Sequence, residues 1–398
     1  MNRVPRTVWA LGLVSLFMDL SSEIIHALLP LFLTATLGVS VAMVGLIDGI
    51  AEATASISKV FSGYISDRLG RRKPLILLGY GLGALSKPVF ALAGSAPVVL
   101  GARFADRIGK GLRGAPRDAL VADVTPEAIR GRAFGLRQSL DTVGAFAGPL
   151  LAMLLMAVFA DDMRKVFWIA VIPAALAVLC VIFGVTEQRR PAHSETGQPP
   201  IRITDLRRLG RPFWTVVAIG VAFTLARFSE AFLILKASAE GLPLTFAPAV
   251  LVVMNVVYAL GAYPAGIASD RYNPHRLLGL GLIVLIFADL AIALMPGLTG
   301  TFAGIALWGL HMALTQGLMA KLVADRAPID IRGSAFGLFN LATGVAMLLA
   351  SLLAGLLWDE LGASSTFLAG AGFATIAMIG LLLARPMPLL APGAPTPN

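Results

Sequence analysis

The chain has 398 residues, of which 57% are hydrophobic and only 14% charged. A soluble globular domain carries about a quarter charged residues, so that class is excluded and a lipid-embedded chain is expected. The net charge of +9 invites a nucleic-acid reading that its placement along the chain does not support, and the single cysteine, Cys180, excludes an intramolecular disulfide.

A bilayer-crossing helix needs about 17 to 25 mostly apolar residues. Twelve such runs are predicted, at about 8–37, 41–66, 74–95, 97–124, 131–158, 166–186, 213–239, 246–270, 276–297, 300–326, 332–358 and 363–385. The first carries Asp19, Glu23 and His26 on one helical face, which is unlike a cleavable signal peptide. The second carries Asp48, Glu52 and Lys59, also on one face, and ends in the loop Gly63-x-x-x-Asp67-Arg68-x-Gly70-Arg71-Arg72-Lys73. In that loop Gly63 permits close helix approach, Gly70 a tight turn, and the basic cluster favours the inner leaflet. The fourth run is dense in charge, with Arg103, Asp106, Arg107, Lys110, Arg113, Arg117 and Asp118. At about 100° per residue, Arg103, Arg107, Lys110 and Arg117 fall within about 80° of one another and form a basic stripe.

The fifth run holds Gly135-x8-Gly144-x3-Gly148-Pro149, together with Arg137 and Asp141. The stretch 187–212 is polar, Pro-rich and basic and is expected to be a linker on the cytoplasmic side. The second half has fewer ionisable residues: Arg227, Glu230 and Lys236 in the seventh run, Asp289 in the ninth, His311 and Lys321 in the tenth. The tail 386–398, rich in Pro and Ala, is expected to be disordered.

The halves repeat each other. Leu120–Leu136 reads LVADVTPEAIRGRAFGL and Leu322–Leu338 reads LVADRAPIDIRGSAFGL, about half a chain length apart. Gly63-Tyr-Ile-Ser-Asp67-Arg68 is echoed in the same way by Gly266-Ile-Ala-Ser-Asp270-Arg271. A hydrophobic chain written twice is expected to form two bundles with a cavity between them, as membrane transporters do. The predicted organisation is a six-helix bundle at 1–186, the linker 187–212, a second bundle at 213–385 and the tail 386–398. With the N-terminus inside, the inner segments hold Arg68, Arg71, Arg130, Arg271, Arg276 and Arg332, whereas the outer loops hold only Arg164 and Lys165. This positive-inside bias predicts cytoplasmic termini, and the basic charge is topology rather than a nucleic-acid footprint.

The Gly63–Lys73 loop and its echo resemble the signature loop of the major facilitator superfamily, and the resemblance covers the whole chain. It implies an all-α polytopic membrane protein, with twelve transmembrane helices in two pseudo-symmetric six-helix bundles around a central cavity. It implies further that Gly63, Asp67, Arg68, Gly70, Arg71 and Asp123, with Asp270, Arg271, Asp325 and Arg332 of the other half, form a charge latch on the cytoplasmic side. The Gly135, Gly144, Gly148, Pro149 pattern is similar to a helix-packing motif of proton-coupled exporters in that superfamily. Arg103-Phe-Ala-Asp106-Arg107-Ile-Gly109-Lys110-Gly111 resembles another exporter motif, with three added charges. By the same resemblance Asp19, Glu23, Arg103, Arg107, Arg227, Glu230 and His311 line the cavity.

Ionisable residues inside a membrane are costly and are paired or functional. At about 1.5 Å rise per residue, Asp19, Glu52 and Arg107 fall near the midplane, with Glu23, Asp48 and Arg103 in a tier nearer the outside. Acids and bases at matched depths, Asp106 among them, are expected to form a ladder that either seals the bundle or carries protons and binds substrate. The expected function is proton-coupled export (antiport) of a small organic cation or drug-like solute across the bacterial inner membrane by a monomer. The proton gradient supplies the energy, without a cofactor. Arg103, Arg107 and Arg227 could instead clamp an organic anion, and Asp19, Glu23, His26 and His311 a divalent metal as cargo, although no resident metal site is predicted. A receptor or scaffold without transport is the reading from another class. No nucleotide loop or nucleophile elbow is present, so an enzyme is not expected.

Overall fold

A computed structural model describes residues 4–69, 71–126, 129–187, 209–327 and 331–383. Most of the expected linker and all of the expected tail therefore lie outside the described residues. Among the described residues there is no strand, and twelve long helices follow one another. They are α1 (Arg6–His26), α2 (Val41–Leu69), α3 (Lys73–Leu92), α4 (Ala96–Val124), α5 (Arg130–Val158) and α6 (Met163–Gly184) in the first half. The second half supplies α7 (Arg211–Ala226), α8 (Ala249–Arg271), α9 (Pro274–Leu294), α10 (Gly297–Arg326), α11 (Arg332–Leu361) and α12 (Ala363–Leu383).

Local chemistry sets several of the ends. Proline opens α3, α4, α7 and α9, where a missing N–H costs nothing. Asp162 caps α6 by accepting the backbone N–H groups of Arg164 and Lys165, and Asn273 caps α9 by accepting that of His275. Gly362 turns α11 into α12 with φ +87° and ψ 167°, a conformation open to glycine almost alone.

Two of the twelve predicted runs are broken rather than continuous. After His26 the first continues through a short helical turn, Leu29–Leu31, and a π-turn, Phe32–Thr36. The seventh stops at Ala226, runs extended at Arg227, and resumes as Ala231–Ala239.

Eleven of the helical segments are long and apolar enough to cross a membrane by length and composition, and α4 is the exception because of its charges. Large apolar side chains such as Leu85, Phe183, Leu260, Ile376 and Leu382 stay exposed on the helices. Water would oppose that pattern, and a lipid surround accounts for it.

The described chain forms two compact units. Unit 1 is Met1–Val39, Ile50–Pro200 and Leu244–Ala249; unit 2 is Ser40–Gly49, Ile201–Pro243 and Val250–Asn398. These differ from the halves expected from sequence at two short segments. The start of α2 joins unit 2 because the Asp359 carboxylate accepts the N–H groups of Val41 (3.0 Å) and Ala42 (2.9 Å). Thr245 joins unit 1 through a 2.6 Å hydrogen bond to Asp161.

Inside unit 1, α1 packs on α5 and α6, and α3 on α4 and α6. Unit 2 repeats the scheme, with α7 on α11 and α12 and α9 on α10 and α12. The core of unit 1 includes Leu11, Val14 and Met18 of α1, Ile76 and Tyr80 of α3, Val121 of α4 and Ala174 and Ala177 of α6.

Candidate functional site

The charges of α4 are brought indoors by glycine. Gly79 of α3 and Gly109 of α4 lie so close that a Cβ on either would meet the other's carbonyl oxygen, 2.6 Å away for Gly79 and 2.5 Å for Gly109. Two turns along from Gly79, Lys87 of α3 meets Asp106 of α4 at 2.8 Å, and its ammonium also donates to Ser22 Oγ at 3.0 Å. Both partners are buried. Lys87 is absent from the sequence-derived candidates; a lone lysine before a proline in an apolar run was the available signal.

The midplane pair expected from helix rise is present, with Arg107 Nη1 3.4 Å from Glu52 Oε1. Glu23 meets His26 one turn on, at 3.4 Å. Arg103 is buried on the same helix as Asp106 and Arg107.

A second cluster joins α1, α4 and α5. The Asp19 carboxyl faces that of Asp141, and Arg113 and Lys110 act on it as opposite charges. Asp141 lies 3.7 Å from both Arg117 and Arg137. Arg117 also pairs with Asp118 at 3.1 Å and donates to Ser15 Oγ at 2.9 Å, while Arg137 reaches Asp118 at 3.7 Å. Arg113 stacks over the Tyr80 ring at 4.6 Å. Asp141 and its two arginines therefore form a branched array, with two carboxyl groups touching at one end.

The exporter-like glycines hold this array together. A Cβ on Gly144 would strike the Leu16 backbone, and one on Gly148 would come within 2.5 Å of Glu23 Cβ, so α1 and α5 meet through bare backbone there. Gly135 has nothing within 4 Å, and Pro149 sits inside α5.

Unit 2 places its candidates differently. Asp48 accepts a 2.8 Å hydrogen bond from Ser229 Oγ, inside the break of the seventh span, where Ser229 N–H in turn donates to Ser351 at 3.2 Å. Arg227 and Glu230 flank the same break. Discontinuous helices in transporters mark binding regions because they free backbone groups at membrane depth. His311 is buried, its Nδ1 2.8 Å from the Gly281 carbonyl and its ring stacked on Phe223.

In the loop cluster Asp123 pairs with Arg72, 2.8 Å away, a residue outside the expected latch set. Arg72 also donates to Ser66, and the Glu187 carboxylate accepts the N–H groups of Arg72 and Lys73 at the start of α3. Arg71 is described and exposed. Gly70 and the side-chain positions of Gly63, Asp67, Arg68, Asp270, Arg271, Asp325 and Arg332 lie outside what is described. Among the described residues no group of three or more His, Cys, Asp or Glu side chains could hold a metal ion.

Two helical units with the same internal packing, lipid-facing apolar surfaces and charges turned inward define a multi-pass membrane transporter rather than an enzyme. The family model described as Major Facilitator Superfamily matches residues 11–255 and 231–397, and the chain belongs to that family. It is 32% identical over 388 residues to an uncharacterized MFS-type transporter of Methanocaldococcus jannaschii, covering 96% of this chain and 95% of that one. It is 25% identical over 348 residues to the multidrug resistance protein MdtH of Shigella boydii, covering 84% and 82%. Among solved structures, the nucleoside transporter NupG shares the fold with a TM-score of 0.77 at 14% identity, covering 96% and 98% of the two chains.

Proposed function

We propose that the chain is a proton-coupled secondary transporter that exports small organic cations or drug-like solutes by alternating access. The observation that carries this reading is the contact between the Asp19 and Asp141 carboxyls beside Arg117 and Arg137. Two carboxyl groups facing each other beside arginines offer a coupling proton a shared place. Movement of either arginine toward or away from Asp141 changes how tightly that proton is held. Relatives named multidrug resistance protein MdtH, at 23% to 26% identity, favour export of drug-like compounds. The Glu52–Arg107 and Asp106–Lys87 pairs then keep the neighbouring charges neutral. The positive-inside bias supports cytoplasmic termini in a bacterial inner membrane, and among the described residues no surface feature calls for a second copy.

The test is substrate flux in proteoliposomes holding the full chain under an imposed pH gradient, across organic cations, organic acids and divalent metals. An organic cation is expected to move against the gradient and Asp19→Asn to reduce proton-driven flux to background, while exchange of labelled for unlabelled substrate persists. Full gradient-driven flux in Asp19→Asn overturns the coupling role. Movement of acids alone, lost in Arg107→Ala, replaces the cation reading by an anion permease.

A further inference from the structure

The internal repeat gives the Lys87–Asp106 pair a counterpart. Helix α3 ends at Leu92 and α9 at Leu294, and the repeated motif starts at Leu120 and Leu322, so one register superposes both. In that register Gly79 falls on Gly281 and Gly109 on His311, and both pairs are in contact. Lys87 then falls on Asp289 and Asp106 on Trp308. Unit 1 has a closed ion pair at this place, whereas unit 2 has an acid with no cation opposite it.

The surroundings of Asp289 are apolar. It is 0% exposed, and among the described residues neither carboxyl oxygen has a hydrogen-bond partner. The indole N–H of Trp308, also 0% exposed, has none either. Asp289 Oδ2 packs against Gly370 of α12, 2.6 Å from where a Cβ would stand, and the Phe228 ring edge is 3.1 Å from the same point. Phe228 packs edge-on against Phe232, Trp308 and Phe367. A small cavity is lined in part by Leu225, Phe228, Ala354, Thr366, Gly370 and Phe373.

Among the described residues, the helices packed around Asp289 place no counter-charge beside it. Helix α12 has no ionisable residue between Ala363 and Leu383, and Asp289 is the one such residue of α9 beyond Arg276. On α10, His311 is turned to Gly281, about two turns of α9 away from Asp289. Arg227 and Glu230 flank Phe228 and have interactions of their own. Asp359 of α11 is occupied by Val41 and Ala42. A bare carboxylate here would bear the full cost of a buried, unpaired charge, which a bound proton removes.

We propose that Asp289 is a proton-binding site of unit 2, held as the neutral acid in the closed aromatic cluster where its carboxyl packs against Gly370, a residue that also lines the cavity. Lys87 neutralises the equivalent place in unit 1 permanently; in unit 2 the proton does so reversibly. The proposed site uses neither Asp19 nor Asp141 and stands or falls separately from the Asp19 coupling role.

The test is infrared difference spectroscopy on the full chain in lipid nanodiscs at neutral pH, wild type minus Asp289→Asn, in H2O and in D2O. A protonated-carboxyl C=O band is expected in the wild type, absent from Asp289→Asn and shifted in D2O. Gly370→Ala, whose methyl would press on the Asp289 carboxyl, is expected to shift that band. If Asp289→Asn removes no such band, the carboxyl is ionised and the proposal fails. If the band stands unmoved in Gly370→Ala, it does not arise from a carboxyl packed against Gly370 and the assignment to Asp289 fails. Asparagine is close to the neutral acid in size, so the first comparison does not depend on a variant that cannot fold.

Discussion

The two units share a packing scheme and differ in what they bury. Helix α4 of unit 1 buries Arg103, Asp106, Arg107 and Arg113, while its counterpart α10 buries Ile305, Trp308, His311 and Met312. Around α4 the charges find partners on α1, α2, α3 and α5; around α10 the contacts are aromatic, with Phe228, Phe232, Phe367 and Trp358 stacked edge to face. The repeat therefore specifies how helices touch, through small residues and apolar ridges, and leaves the chemistry of each interior free to diverge. A membrane span as charged as α4 is tolerable only inside a bundle that neutralises it, so unit 1 is committed to its ion pairs in a way that unit 2 is not.

The largest expected effect follows from that commitment. Lys87→Met leaves Asp106 buried without its 2.8 Å partner, and breaking such a pair costs about 3 kcal/mol, the low end of the usual range because Arg113 lies nearby. Adding Asp106→Asn is expected to restore most of the loss, since a neutral pair needs no counter-charge. The matching change in unit 2, Asp289→Asn, is expected to cost less than about 1 kcal/mol because it exchanges one neutral group for another. Thermal unfolding of the four proteins in one detergent measures all three shifts. A Lys87→Met variant as stable as Asp289→Asn would erase the contrast between the units.

A smaller effect separates two ways of joining helices. Unit 1 brings α1 onto α5 through Gly144 and Gly148, whereas the repeat register puts Ala346 and Ala350 at these places in unit 2. Gly144→Ala pushes a methyl into the Leu16 backbone and is expected to destabilise by about 1–3 kcal/mol. Gly135→Ala enters open space in the same helix and is expected to gain up to about 1 kcal/mol from helix propensity. Equal melting temperatures for the two variants would mean that the α1–α5 contact yields easily.

The sequence carries the spans, the repeat and the family in signals that sum over many residues, and these survive small errors in boundaries. The Glu52–Arg107 pair was legible because helix rise alone puts both at one depth. What was not legible depends on helix rotation and on single breaks. Lys87 sits in an otherwise apolar run, and its partner lies across a hairpin whose tightness comes from Gly79 and Gly109. The break at Arg227–Glu230 leaves the hydropathy of its span intact. Asp123 takes Arg72, one residue from the expected Arg71, because both stand just before α3 begins at Lys73, where no helical period sets the direction of a side chain.

The smallest expected effect compares two helix caps and depends on pH. Asp162 caps α6 in unit 1 and Asn273 caps α9 in unit 2, each accepting backbone N–H groups. Removing either by substitution to alanine is expected to cost about 1 kcal/mol at neutral pH. The Asp162 carboxyl is held below its ordinary value of 3.8, first by the backbone N–H of Lys165 and then by the Lys165 ammonium. A carboxyl whose pKa is lower in the folded than in the unfolded state stabilises the fold above the unfolded value, and that contribution is lost as pH falls through the folded one. The difference between wild type and Asp162→Ala is therefore expected to be constant from neutral pH down to about pH 4 and to shrink below it, as the cap takes up its proton. Asparagine has no proton to gain, so the Asn273→Ala difference should stay flat over the same range. Melting temperatures of the two variants, each measured against wild type at neutral and acid pH, decide the matter; a difference that shrinks for Asn273→Ala as well would trace the acid effect to the whole fold rather than to the charged cap of unit 1.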